Sequence, residues 1–600
     1  MSLTQLPERS EVPREQTWNL ESIFPDLQSW ERSYQAAAKR LSQFEKYKGK
    51  LAQSPKILLE CLNLRDEVLR SAEKVAVYSG LDTSTDASDQ DTLARSGQGR
   101  SLMNKALAEV AFIEPELIAI GWEVLKGWMV EDSSLAMYGH YFEDLYRQSA
   151  HLRNSEVEEI LALAADPLSY LPGTYGSLVN ADIVFKGAAD EKGNNRDVGQ
   201  SSINGLITDP DREVRRTAWE NYADGYLSHQ NTIAAAQVGA FKRDAFIARA
   251  RGYDSSLEAS LFPNNIPTDV FHNLMEVFKE NLPTWHRYWR LRKDILGYDK
   301  LHVYDIKAPL TPSKPIIPFQ QAVDWICEGM APLGEEYVQA LRKGCLEERW
   351  VDRARNKGKR QGAFSWGMHD TQPFIMMSYA DDVFSLSTLA HELGHSLHSH
   401  YTWQNQPYVY GDYSLFVAEV ASNFNQAMVR EYLFQTQEDP ELQMALIEET
   451  MSNYHRYFFI MPTLARFELE MHERIERGEP VNARAMIELT AELFKEGYGD
   501  EVVFDFDRIG ITWAQFGHMY ANFYVYQYAT GISGANALVS RVLTEGEQAA
   551  GDYLDFLKAG DSLYSLDALM AAGVDLTSPE PVKTAFRFLA DTVDRLEKLA

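Results

Sequence analysis

The stretch Ser385–Ser399 reads S-L-S-T-L-A-H-E-L-G-H-S-L-H-S, and within it His391, Glu392 and His395 form an H-E-x-x-H pattern. Two histidines four apart on an α-helix stand about 40° apart around the axis and about 6 Å along it, so both imidazoles can reach one ion. Glu392 then projects beside that ion instead of binding it. Asp381 and Asp382 lie where a helix start needs acceptors for its free N–H groups. Leu386, Leu389, Ala390, Leu393 and Leu397 form an apolar stripe, which predicts a buried helix. Histidines on such a helix need partners, and a shared metal supplies one to both. The bland alternative is a solvent-facing helix that carries two histidines by chance.

The spacing has a chemical logic. A zinc ion makes water acidic enough to ionise near neutrality, and an adjacent carboxylate can take that proton and pass it to a leaving amine. A third ligand has to come from elsewhere in the chain. The metzincin pattern wants Gly three residues and His six residues after the second histidine, but those positions hold His398 and Tyr401. The two-His-plus-Glu arrangement takes its Glu from a following helix. Ser414–Arg430, S-L-F-V-A-E-V-A-S-N-F-N-Q-A-M-V-R, predicts such a helix, and its one acidic residue is Glu419. Among Phe416, Val417, Val420 and Phe424 a carboxylate is costly without a positive neighbour, either a metal or a core arginine. Asp412, in a Tyr/Gly-rich loop, is the weaker candidate. His398 reads as a residue behind the site or in the core, and His400 as solvated at the helix end.

With these residues quoted, the chain resembles oligoendopeptidase F, a branch of the thimet-oligopeptidase-like zinc peptidases. The similarity rests on His391-Glu392-Leu393-Gly394-His395 followed by Glu419-Val420-Ala421-Ser422. Thr17-Trp18-Asn19-Leu20-Glu21, Arg251-Gly252-Tyr253-Asp254-Ser255 and Tyr526-Gln527-Tyr528-Ala529-Thr530-Gly531 extend it over nearly the whole chain. The resemblance implies one Zn²⁺ ion held by His391, His395 and Glu419, with Glu392 as the base. It also implies a zinc buried deep in a channel that folded proteins cannot enter, hence short unfolded peptides as substrates. One departure stands out: seven positions after Glu419, where an acidic residue is expected, this chain has Gln426. That bears on the hydrogen bonding behind the metal, which tunes affinity.

A further part of the site is expected late in the chain. Trp513–Thr530 holds His518, Tyr520, Tyr524, Tyr526 and Tyr528. Amide hydrolysis builds negative charge on the carbonyl oxygen, and donors placed there can lower the barrier by about 3 kcal/mol. His518 carries over by resemblance as such a donor; among the phenols Tyr526 is placed first and Tyr524 second, with Tyr520 and Tyr528 read as core aromatics. Gly531-Ile532-Ser533-Gly534 could cap an aromatic helix or give mobility for closure.

At 600 residues the chain can hold more than one core. A net charge of −29 argues against nucleic acid and anionic membranes as partners. Cys61, Cys327 and Cys345 lack metal-ligand spacing and read as reduced thiols, which with the polar Met1–Pro13 and the lack of long apolar runs predicts a cytoplasmic protein. Residues 1–16 are expected as an extended arm, and from there helices at three-four spacing dominate. The expected helices include Ile118–Met129, Ser134–Gln148, Thr268–Leu296 and an Arg-rich one after Asp209-Pro210 whose arginines face solvent. A small hairpin is expected from Ile183-Val184-Phe185 and Ser201-Ser202-Ile203, and two short strands from Lys359–Ser365 and Pro373–Tyr379, the exposed edge of Phe374–Tyr379 serving to bind extended peptide.

The fold predicted is mainly α, a large multi-helical body with a small sheet next to the zinc helix, enclosing a deep channel. An N-terminal helical domain over 1–199 forms a cleft wall and a catalytic domain spans 200–600. The function expected is a zinc endopeptidase acting on short peptides. The alternatives are a zinc carboxypeptidase, which needs a cationic anchor for the substrate carboxylate, and a catalytically silent peptide-binding protein. A homo-oligomer is compatible with the sequence.

Overall fold

The computed structural model describes residues 6–600. The chain is mainly α-helical, with small two- and three-stranded sheets, as expected. It divides into two compact units, each gathered from separate stretches. One holds Met1–Ala150, Ile316–Leu433 and Leu538–Gly573; the other holds His151–Pro315, Phe434–Ala537 and Val574–Ala600. The expected boundary near residue 200 falls inside the second of these. No helix of the described residues is long and apolar enough to cross a membrane. All three cysteines are unpaired and buried.

In the first unit the long helices Pro55–Thr85 and Gln90–Val110 pack along one another. Each starts at a side-chain cap: Ser54 accepts from the Ile57 N–H, with Pro55 opening the helix, and Asp89 accepts from Asp91 and Thr92. Leu58, Leu62, Val68, Val75 and Leu81 face a core with Trp18, Phe24, Trp30 and Phe44. The stretches expected as single helices are each two. Ile113–Ile120 and Trp122–Glu131 are separated by Gly121, whose φ of +94° a helix interior does not admit. Ser133–Ala136 and Gly139–Ser149 are likewise distinct. Residues 9–16 are not an extended arm. They form two short 3-10 turns, Arg9–Glu11 and Arg14–Gln16, and Arg9 ion-pairs with Asp352. Residues 1–5 lie outside the described residues.

The three-stranded sheet of this unit corrects one expectation. Phe374–Met376 is its central strand, parallel to Val351–Asp352 on one side and antiparallel to Phe364–Trp366 on the other. A strand whose three residues are all apolar and fully buried belongs in the middle of a sheet. Its edges are therefore taken, and the free edges of the sheet lie on its outer strands, Val351–Asp352 and Phe364–Trp366.

The second unit is built from Arg212–Leu227, Gln230–Arg251, Thr268–Glu280, Leu282–Ile295, Ala483–Tyr498 and Glu580–Leu599, with Pro440–His455 and Met461–Glu476 joined by a π-helical turn over Arg456–Ile460. The helix expected over Thr268–Leu296 breaks at Asn281, with Pro283 in the first turn of the next. Trp285, Tyr288 and Trp289 are buried, as aromatics at helical spacing should be. The Arg-rich helix is only partly solvated: the Arg212 and Arg216 side chains are 39 % and 37 % exposed, but Arg215 is 1 % exposed and, with Arg212, grips the fully buried Asp305. The hairpin is smaller and shifted. Ala188–Ala189 pairs with Asn195–Arg196 around a turn closed by Asp190, while Ile203–Leu206 is helical. Trp513–Thr530 is not a single helix either. Two 3-10 turns, Ile511–Gln515 and Gly517–Tyr520, precede the helix Tyr526–Glu545, which runs straight through Gly531 and Gly534. Phe523 takes φ +46° between them, its N–H donated to the buried Glu468 carboxylate at 2.8 Å.

Candidate metal centre

The H-E-x-x-H pattern lies on Val383–Asn405. Asp382 caps it, accepting from the Ser385 N–H at 2.8 Å, and Ser385 in turn accepts from Ala380. The stripe Leu386, Leu389, Ala390, Leu393 and Leu397 is buried throughout. Ser396 donates to the Glu392 carbonyl and meets Ser365 at 2.8 Å, which ties the helix to the outer strand Phe364–Trp366.

The next helix, Leu415–Thr436, comes unusually close to it. A Cβ on Gly394 would sit 2.5 Å from the Ala421 carbonyl oxygen and 2.6 Å from the Ser422 Cα, so only glycine permits this approach. The consequence is that Glu419 reaches the histidine pair. Ligand atoms of His391, His395 and Glu419 all lie within 4.8 Å of one another, the one such group of three or more among the described residues. The His391 Nε2 stands 3.8 Å from Glu419 Oε2, and the two imidazole rings are 4.9 Å apart and nearly perpendicular. Lys and Arg side chains make no ion pair with Glu419 among the described residues; on its own helix Ser422 donates to the carboxylate at 3.4 Å, and Asn423 to the backbone carbonyl. Asp412 is exposed, accepts from its neighbour Tyr413, and stays outside the group.

Gln426 explains how His391 is oriented. Its Oε1 lies 2.9 Å from His391 Nδ1 while its Nε2 donates to Ser387 at 2.7 Å. Nδ1 therefore carries the proton, and the lone pair on Nε2 faces Glu419. Burial holds His395 well below its usual pKa, with His391 and His398 adding to the effect, so its ring is neutral and offers a lone pair. Glu392 is 5 % exposed and its Oε2 has no hydrogen-bond partner. Burial pushes its carboxyl up to about 7, and the Glu419 charge adds to this. His398 is in the core, stacked on Tyr413 at 3.6 Å. His400 is not a solvated end residue, because the helix continues to Asn405 and its ring lies against Trp350.

Comparisons along the chain point to one family. Peptidase family M3 matches residues 206–588, and oligopeptidase F matches residues 116–185. The chain belongs to peptidase family M3. Oligopeptidase PepF of Bacillus subtilis is 38 % identical over 99 % of this chain and 89 % of its own length. Group B oligopeptidase PepB of Streptococcus agalactiae is 33 % identical over 98 % of each. The crystal structure of oligoendopeptidase-F from Enterococcus faecium superposes with a TM-score of 0.74 at 30 % identity, covering 95 % of this chain and 99 % of that one.

The remaining expected site residues of this M3 peptidase lie in the second unit. His518 stands in the turn Gly517–Tyr520, its ring 5.7 Å from that of Tyr524 and 6.1 Å from that of Tyr528. Its Nδ1 has no partner, and burial, followed by Arg456, lowers its pKa. The Tyr524 and Tyr528 hydroxyls are 3.4 Å apart and half-buried. Tyr526 is 2 % exposed with its ring edge-on to Phe271. Tyr520 is buried beside Tyr175. Gly394 is the residue that motif reasoning passed over; the signal for it was the small residue between the two histidines.

Proposed function

We propose that this peptidase is a zinc-dependent endopeptidase that cleaves internal bonds of short, unfolded peptides. The observation that carries this is the convergence of two imidazoles and a carboxylate within 4.8 Å, beside a second, buried carboxylate with an unpartnered oxygen. Two nitrogens and one oxygen make a donor set that suits zinc and leaves a position open. His391, His395 and Glu419 would hold the ion, which when bound supplies Lewis acidity toward the scissile carbonyl and toward water.

The chain's own groups do the rest. Glu392 accepts a proton from the attacking water and delivers it to the leaving nitrogen. Burial alone favours its protonated form, and a cation lodged beside it favours the carboxylate that this role requires. His518 and Tyr524 are the donors we assign to the carbonyl oxygen as charge develops there. Tyr524 takes precedence over Tyr526, whose ring is enclosed against Phe271. The free edge of Phe364–Trp366, tied to the metal helix through Ser365 and Ser396, is the strand able to pair with an extended peptide. The limit to short peptides draws support from the relatives named as oligopeptidases.

Replacing Glu392 by Gln tests the assignment. The Glu392→Gln protein is expected to retain zinc at unit stoichiometry by elemental analysis and to lose turnover of a blocked internal-cleavage peptide by at least about 10³-fold. Turnover near that of the parent would remove Glu392 from the mechanism.

A further inference from the structure

The second unit contains a cavity of about 310 Å³ whose wall carries four basic side chains, Lys307, His455, Arg456 and His518, and no Asp or Glu. Burial lowers the pKa of both histidines and favours their neutral rings, so the charge comes from Lys307 and Arg456, an inversion of the local sign in a chain of net charge −29. The four are also short of partners. Lys307 makes no hydrogen bond or ion pair with any described residue. His455 is 7 % exposed, and neither of its ring nitrogens is hydrogen-bonded. The Arg456 Nε is buried and unpartnered, the guanidinium resting 5.7 Å and 5.8 Å from the rings of Tyr457 and Phe516.

The acids close by in sequence are committed elsewhere. Asp305, two residues before Lys307, is held by Arg212 and Arg215, and Glu448 accepts from the Leu310 N–H. Burial, and after it Arg456, pushes the Lys307 ammonium down to about 8. Unpaired cations in a low-dielectric setting are unfavourable, and an anion entering among them relieves that cost. The backbone has been shaped to put them there. His455 ends one helix and Arg456 begins the π-helical turn Arg456–Ile460, a local widening that recurs at functional sites.

We propose that this cavity receives a carboxylate of the peptide substrate, bound between Lys307 and Arg456 with His455 in its wall; the substrate's being a peptide rests on the function proposed above. Arg456 offers a planar fork and Lys307 a point charge, a pairing that suits a carboxylate's two oxygens. His518 lines the same cavity, so the anchored group lies beside a residue assigned to the reacting carbonyl. The carboxylate can come from the peptide's free C-terminus or from an acidic side chain.

Four peptides of one sequence separate these sources: a free or amidated C-terminus, each with Glu or Gln at one internal position. Calorimetric binding is measured on the full-length, zinc-loaded Glu392→Gln protein, where turnover does not interfere. Neutralising the recognised carboxylate is expected to weaken binding by about ten-fold or more. The acid-to-neutral ratio is expected to fall toward one when Lys307→Met or Arg456→Met is added, and to return with Lys307→Arg. A purely structural role would weaken all four peptides alike and leave the ratio intact, which would overturn the proposal, as would a ratio near one, or no binding, before Lys307 and Arg456 are changed. Loss of affinity on amidation identifies the C-terminus; loss on Glu→Gln identifies the side chain. Cleavage by the parent enzyme is read in parallel: a preserved binding ratio without cleavage would end the peptidase mechanism and leave the carboxylate site standing.

Discussion

Gln426 bears on the proposed zinc site through His391, presenting a neutral acceptor to Nδ1 and anchoring itself on Ser387. Without it the His391 ring loses both its tautomer preference and its orientation. Gln426→Ala is therefore expected to lower zinc affinity by about 10–100-fold, measured by competition with a chelator, while Gln426→Glu holds or tightens it by offering a charged acceptor. Equal weakening by both changes would show that hydrogen-bond acceptance at this position is not what matters. At this scale the sequence was legible where chemistry follows from spacing. His391, Glu392 and His395 needed only the helical repeat, and Glu419 stood out as the one acid on an apolar helix. Gln426 was visible as a departure, but its contact with His391 was not. Gly394 was visible as a small residue inside the motif, but the reason for it was not, because its requirement comes from the backbone of another helix at Ala421 and Ser422.

The sheet beside the metal helix depends on a charge buried beneath it. Asp352, in the strand Val351–Asp352, is fully buried and pairs with Arg9 and with Lys359 at 2.6 Å, the latter only 3 % exposed. Asp352→Ala leaves that ammonium buried without its carboxylate and is expected to cost about 3–5 kcal/mol, seen as a lower denaturant midpoint. An Asp352→Ala protein of parental stability would mean that Lys359 reaches solvent. Helices were more legible than strands for a physical reason. A helix satisfies its hydrogen bonds within one window of sequence, whereas Phe374–Met376 has partners on two separate segments, one of them 20 or more residues earlier. The same locality explains the misplaced breaks. Periodicity runs on across Gly121, although the backbone at that residue cannot stay helical.

Across the whole molecule, 87 acidic against 58 basic residues create a negative field that attracts cationic peptides. The kcat/KM for a Lys/Arg-rich peptide is expected to fall several-fold as ionic strength rises from about 0.01 M to about 0.3 M, with little change for an uncharged peptide. Equal salt responses would remove long-range attraction from substrate capture. This attraction and the cationic cavity act over different distances. Exposed charges sum at long range, while Lys307 and Arg456 act only on a group that has already entered.

The sequence by itself determined the helical class, the two histidines and the carboxylate aligned with them, because each depends on the repeat of a single helix. Only the tertiary structure decided which surface of the sheet stays open and how tightly two helices close on Gly394. It alone gathered Lys307, His455 and Arg456, nearly 150 positions apart at the extremes, around one cavity. Those outcomes rest on contacts between segments distant in the chain, and no local pattern encodes such a meeting.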